Sequence, residues 1–246
     1  SLALNTTGAN NVAIGSYTLD ASTTASNTTA VGHGALSNNT TASNNTAVGF
    51  QSLYANTTGA ENTAVGKAAL NANTTGADNV ATGAHALKFN TTGASNTADG
   101  YDALYKNTTG SNNTASGYYA LFSNTTGVNN SAVGMQSLDE CTTGSYNHCQ
   151  GDNSLTALTT GIANTAMGHY TGSSITTGDS NTCIGHNAGR VNYSPFVPTT
   201  HSNRLVMGST GVTNAYIQVA WTVTSDQRDK TDITNFTHGL DYINQL

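Results

Sequence analysis

Asn45-Thr46-Ala47-Val48-Gly49 returns seventeen residues later as Asn62-Thr63-Ala64-Val65-Gly66, and the same phase runs through most of the chain. Gly15, Gly32, Gly49, Gly66, Gly83, Gly100, Gly117, Gly134, Gly151, Gly168 and Gly185 are separated by ten consecutive intervals of 17 residues without an insertion. Leu19, Leu36, Leu53 and their successors to Leu155 keep step, as does a Thr-Thr pair in every copy. A fixed short period without insertions means that each copy is one structural rung, which buries its apolar side only by stacking on its neighbours. The expected fold is all-β: a solenoid or β-roll shaft of eleven 17-residue repeats with a C-terminal cap.

Within a rung, Asn-Thr-Ala-Val reads as a short strand, and the Gly after it permits a sharp corner. Lys67-Ala68-Ala69-Leu70-Asn71-Ala72 and Tyr101-Asp102-Ala103-Leu104-Tyr105-Lys106 contain good helix formers, so a single helical turn is allowed there. The Asn-Thr-Thr-Gly that follows is turn chemistry. With rungs about 4.8 Å apart, ten steps make a rod roughly 50 Å long.

Composition agrees with a repeat and excludes several classes. The chain has 246 residues, of which 8% are charged and 36% hydrophobic, with 26 Gly and 2 Pro. Large apolar side chains are too few for an ordinary globular core, and Pro, Glu and Lys are too few for ordinary disorder. A net charge of −6, with no Lys or Arg before Lys67, leaves little to neutralise phosphates, so nucleic-acid binding is not expected. No apolar run reaches the roughly 18 to 20 residues of a membrane span, and Ser1-Leu2-Ala3-Leu4 lacks the basic start of a secretory signal.

The Leu, Ala and Val/Ile columns are expected to face inward, since stacked small apolar groups exclude water from a thin core. Thr82, Asp99, Ser116 and Gln150 interrupt the Val column, so either those rungs admit water or the column faces a partner chain. Asn56, Asn73, Asn90, Asn107 and Asn124 each precede Thr-Thr and fit two readings: glycosylation sequons or a hydrogen-bonded amide ladder. Recurrence of one amide at one phase favours the ladder.

Variation is concentrated just after the corner Gly and just after Leu. These positions hold Phe50, Tyr54, Tyr101, Tyr105, Tyr118, Tyr119 and Phe122, with His33, His85, His169 and His186. Such rings have an apolar face and a polar edge, so they can stack on sugars and bond hydroxyls, or else pack on one another or across a subunit interface. His169 and His186 stack one rung apart without a carboxylate or Cys in their column, so no metal site is expected. Cys149 and Cys183 take the Ala position two rungs apart, about 9.6 Å and too far for a disulfide. With Cys141 they are expected to be buried thiols, as suits assembly in a reducing compartment.

The period breaks after Gly185. Leu205-Val206-Met207-Gly208 resumes it after 23 residues, so 190–224 reads as a six-residue insertion followed by a capping β segment, distinct from the repeat region 1–189. The stretch from Ala215 to Val223 carries the only Trp and reads as a strand. Beyond it, 225–246 changes character, with five charged residues in the nine from Ser225 to Ile233.

Ser225-Asp226-Gln227-Arg228-Asp229-Lys230, with Gly239-Leu240-Asp241-Tyr242-Ile243, resembles the opening of the self-cleaving intramolecular chaperone domain of endosialidase type, which ends many bacteriophage tail fibres and tailspikes. The resemblance implies trimerisation and a single cut between Thr224 and Ser225, with Ser225 as nucleophile and Lys230 assisting. A Ser hydroxyl needs such a neighbouring base. The 17-residue rungs are similar to tail-fibre shaft repeats of cyanophages and, more distantly, to the heads of trimeric autotransporter adhesins. These resemblances imply a homotrimer on a virion or a bacterial surface, in contact with other tail proteins and with a host receptor, glycan or protein.

The expected function is therefore a structural and adhesive fibre rather than an enzyme acting on an outside substrate, and no cofactor is expected. An ice-binding solenoid is one alternative, but adjacent Thr residues on a strand point to opposite faces and offer only one outward column. A glycan-cleaving tailspike is another; its paired carboxylates are not visible among acids scattered over different phases.

Overall fold

Each Asn-Thr-Ala-Val-Gly copy places one three-residue strand on the same face of a continuous coil. The computed structural model describes residues 2–194 and 199–213. Its strands are β1 Val12–Ile14, β2 Thr29–Val31, β3 Thr46–Val48, β4 Thr63–Val65, β5 Val80–Thr82, β6 Thr97–Asp99, β7 Thr114–Ser116, β8 Ser131–Val133, β9 His148–Gln150, β10 Thr165–Met167, β11 Thr182–Ile184 and β12 Leu205–Met207. They form one parallel sheet in chain order. Thr46 pairs with Thr63, Ala47 with Ala64 and Val48 with Val65, so one repeat is one turn of a β-solenoid.

The last step differs in length and keeps the register. Thr182 pairs with Leu205, an offset of 23 residues. The Thr176 amide already donates to the Thr199 carbonyl at 2.7 Å, so the rung is back in phase by Thr199 and the extra residues lie before it. Pro195, Pro198 and the proposed strand from Ala215 to Val223 lie outside the described residues.

Corner glycines sit directly over one another. A Cβ on Gly32 would lie 2.6 Å from the Gly49 carbonyl oxygen, and one on Gly15 would lie 2.8 Å from that of Gly32. The φ values of +127° and +130° at these two residues add a conformational reason for Gly.

The helical turns allowed by Lys67 to Ala72 and Tyr101 to Lys106 do not form; no helix occurs among the described residues. Ala68 and Leu70 have φ of +54° and +50°, and Asp102 and Leu104 have +56° and +52°, which break any right-handed turn. The alternation aims successive amides up and down the coil. Gln51 N–H donates to His33 O at 2.9 Å in the preceding rung, and Leu53 N–H donates to Ala69 O at 3.0 Å in the next. Left-handed backbone disfavours each residue by about 1–2 kcal/mol, offset here by these inter-rung bonds and by burial of Leu.

The interior is narrow. Leu19 through Leu155 and the mid-strand residues Ala30, Ala47, Ala64, Ala81, Ala98, Ala115, Ala132 and Ala166 are fully buried. The expected inward Val column is a correction: it faces outward. In a three-residue strand only the middle side chain points in, so Ala47 is buried while Val48 is exposed. Ile14 is 60% exposed and Met207 59%, with Val65, Val133, Met167 and Ile184 exposed between them.

Two amide ladders complete the core. Asn39, Asn56, Asn73, Asn90, Asn107 and Asn124 are fully buried, as a ladder requires and a glycosylation acceptor does not allow. Asn73 Nδ2 donates to Asn56 Oδ1 and to Gly76 O, both at 2.9 Å. A second ladder runs from Asn45 to Asn181. In it Asn79 Nδ2 donates to Asn62 Oδ1 at 3.1 Å and to Gly93 O at 2.9 Å, while the Asn79 amide also donates to Asn62 Oδ1 at 3.0 Å. Each interior bond contributes about 1 kcal/mol net.

Candidate functional site

Past the corner Gly, the chain turns two residues outward before Leu dives into the core. In the rung that starts at Gly49, Phe50 and Gln51 face out, Ser52 Oγ donates back to the Gly49 carbonyl at 3.1 Å, Leu53 is buried and Tyr54 faces out. Stacking converts these outward positions into three parallel columns along one edge of the coil. Every ring in the expected receptor-binding set, Phe50, Tyr54, Tyr101, Tyr105, Tyr118, Tyr119 and Phe122, lies in them.

The edge carries three aromatic clusters. In the first, His33 stacks on Phe50 at 5.5 Å between ring centroids and meets Tyr17 edge-on at 5.6 Å. Tyr17, His33, Gly34, Ser37, Gln51 and Tyr54 line a surface notch of about 290 Å³ there.

The second cluster is the largest. Tyr101 stacks on Tyr118 at 5.6 Å, Tyr105 on Phe122 at 5.1 Å and Tyr119 on Phe122 at 4.6 Å. Desolvation among these rings, followed by the hydrogen bond with Tyr118, pushes the Tyr119 hydroxyl up to about 12. Lys106 Nζ lies 4.8 Å from the centre of the Phe122 ring, and Lys88 Nζ sits over Phe89 and Tyr105. His85 Nδ1 pairs with the buried Asp102 carboxylate at 3.1 Å. The rings therefore do pack on one another, and outer faces remain free: Tyr118 is 50% exposed.

In the third cluster, His169 and His186 stack one rung apart at 5.5 Å with nearly parallel planes. The Arg190 guanidinium lies 4.0 Å from the centre of the Tyr170 ring and also covers Tyr193. Tyr17, Phe89, Tyr170 and the cations lie outside the expected receptor-binding set. Tyr17 and Tyr170 share the phase of Tyr119, so column bookkeeping finds them. Lys88 and Arg190 share the phase of Tyr105, whereas Lys106 emerges only because its side chain folds over Phe122 from the adjacent position.

The remaining candidates are placed as follows. Cys149 and Cys183 occupy mid-strand positions in register with Ala132 and Ala166, and Cys141 replaces an Asn of the first ladder. All three are buried free thiols, and burial raises Cys141 and Cys149 to about 12 and Cys183 to about 11. In each Thr-Thr pair one residue turns in: Thr57 Oγ1 donates to the Thr74 carbonyl at 3.0 Å, and Thr58 is exposed. On the outward sheet face, Thr82 Oγ1 donates to Asp99 Oδ1 at 2.6 Å. Ser225 and Lys230 lie outside the described residues. Among the described residues no helix is long and apolar enough to cross a membrane. No protein-family model, curated protein or solved structure matches the chain.

Proposed function

We propose that this chain is one strand of an adhesive fibre, a rigid trimeric shaft of the tail-fibre kind that holds rows of aromatic side chains against a host-surface glycan. The observation that supports this most is the confinement of three exposed aromatic clusters to one edge of a hydrogen-bonded ladder. A sugar presents one apolar face and a rim of hydroxyls, which partly exposed Tyr and His rings match. Weak contacts repeated along a stiff rod act together through effective concentration, so no single contact must be tight.

In this reading the outward Thr-x-Val face of the sheet packs against sister chains. Its exposed Val, Ile and Met side chains favour burial, and a file of them along a sheet is a surface that soluble monomers rarely leave open. The only reaction in the proposal is a single cut before Ser225; no external substrate is turned over.

Two measurements test it. Light scattering on the purified chain should give three times the mass of one chain, 25.1 kDa before the cut, and a monomer sinks the shaft. A glycan array should show binding that weakens when Tyr101, Tyr118 and Tyr119 are replaced together by Ser and is lost when Phe50 and Tyr54 are replaced as well; retention of binding by that last variant removes the aromatic edge from the proposal.

A further inference from the structure

Gly34 occupies a column in which Gly is not required. Tyr17, Gln51, Ala68, His85, Asp102 and Tyr119 hold the equivalent position in other rungs with φ from +53° to +62°, close to the +69° of Gly34. The backbone therefore accepts a side chain here, unlike at the corner glycines. What Gly34 supplies is a missing side chain. The atoms nearest to a Cβ built on it would be Gln51 Cγ at 3.4 Å and the Tyr54 ring at 3.5 and 3.7 Å, ordinary contact distances. The absent group is what opens the notch of about 290 Å³ between Tyr17 and Tyr54.

The largest cluster shows what a filled version looks like. There Tyr101, Tyr118, Tyr119, Tyr105 and Phe122 occupy the same columns and close on each other. At Gly34 the notch lies between Tyr17, in the same column on the rung before, and Tyr54, in another of the three columns on the rung after, while Gln51 continues Gly34's own column. We infer that this notch is a subsite for a single uncharged sugar ring, which fills the space beside Tyr17 by stacking on Tyr54.

Three features select that class. Pockets for drug-sized ligands begin at about 300 Å³, so this space suits one ring. Its lining contains no Lys, Arg, Asp or Glu, so no permanently charged group there offsets the desolvation of a charged ligand. Ser37, Gln51, His33 and the two Tyr hydroxyls offer donors and acceptors around an apolar floor, as a pyranose requires. The inference rests on the glycan-binding reading and narrows it to a place and a ligand class.

Saturation-transfer NMR on the full chain with glucose, galactose, N-acetylglucosamine and N-acetylneuraminic acid tests it. Transfer is expected to at least one uncharged sugar, with affinity in roughly the millimolar range. Gly34→Gln, which copies the side chain of Gln51, and Tyr54→Ala should each lower that affinity about ten-fold, whereas Tyr146→Ala, which removes an exposed ring outside these columns, should not. Unchanged melting temperatures establish that the variants are folded. If Tyr118→Ala abolishes sugar binding and Gly34→Gln does not, the notch assignment is wrong and the adhesive edge survives. Preferential binding of N-acetylneuraminic acid at Gly34 overturns the uncharged class. If none of these sugars nor their oligomers binds, the adhesive reading fails and takes the notch with it.

Discussion

Asn124 Oδ1 is buried without a hydrogen-bond partner because Cys141, one rung further on, stands where the next amide donor of the ladder belongs. Cys141 Sγ turns instead to the Gly144 carbonyl at 3.7 Å. The deficit is a property of the ladder's end, since each Asn offers its oxygen to the rung that follows. Cys141→Asn should therefore change stability by less than about 1 kcal/mol, because it satisfies Asn124 and orphans its own oxygen beside Leu158.

Breaking the same ladder in the middle is a different matter. Asn90→Ala orphans Asn73 Oδ1 and one N–H of Asn107, which lose their bonds of 2.8 and 2.7 Å. At about 1–3 kcal/mol for each of these two buried unsatisfied groups, a loss of about 2–6 kcal/mol is expected. A shift of the urea midpoint measures it, and a near-neutral result would mean that water enters the ladder.

Gly66→Ala should be among the worst single changes in the repeat. Its Cβ would collide with the Gly83 carbonyl at φ +138°, and strain and overpacking together should remove about 3 kcal/mol. Gly34→Ala meets no backbone clash and should lose only about 1 kcal/mol to left-handed strain; thermal melts of the two variants separate them.

Asp139 gives the fold a pH dependence. Half-burial, then the nearby Glu140 charge, raises its carboxyl to about 6, and its Oδ1 has no partner. The folded state thus favours the protonated acid. Its stabilising contribution is complete below the unfolded value of about 3.8 and disappears as pH rises through about 6. Asp139→Asn should accordingly raise stability at neutral pH by about 1 kcal/mol, after discounting for solvent screening, and have no such effect near pH 4. Denaturation at both pH values checks the sign.

The thiols should be silent until the chain opens. Cys141 and Cys149 are held at about 12 by burial and Cys183 at about 11, so little thiolate exists at neutral pH. A thiol-specific chromophore is expected to label none in native buffer and three in denaturant. Rapid native labelling would place at least one of them at the surface.

The period of Gly49, Gly66 and Gly83 made the solenoid legible, and Asn56 with its equivalents announced a ladder. Val48 misled because hydrophobicity suggests the inside, whereas the thin interior, already filled by Leu and Asn, takes Ala or Cys at mid-strand in β1 to β11 and a larger Val206 only in β12. Ala68 and Leu70 misled because their propensities describe isolated helices, while inter-rung bonding selects a left-handed backbone. The second ladder, from Asn45 to Asn181, was hidden within the strand motif because an Asn beside a strand resembles turn chemistry. Of the candidate site, the ring columns could be read from phase; the notch could not, because it is made by the side chain Gly34 lacks.

Because Thr46 lies over Thr63 and each repeat repeats that step, copy number works as a ruler. Deleting a whole repeat shortens the molecule by roughly 4.8 Å and leaves the surviving joints as they were. Loss of one to a few residues instead throws the Leu, Asn and Gly files out of line at that level. Genetic change in this region should thus be quantised, with reach adjustable in units of one turn while the cross-section stays constant.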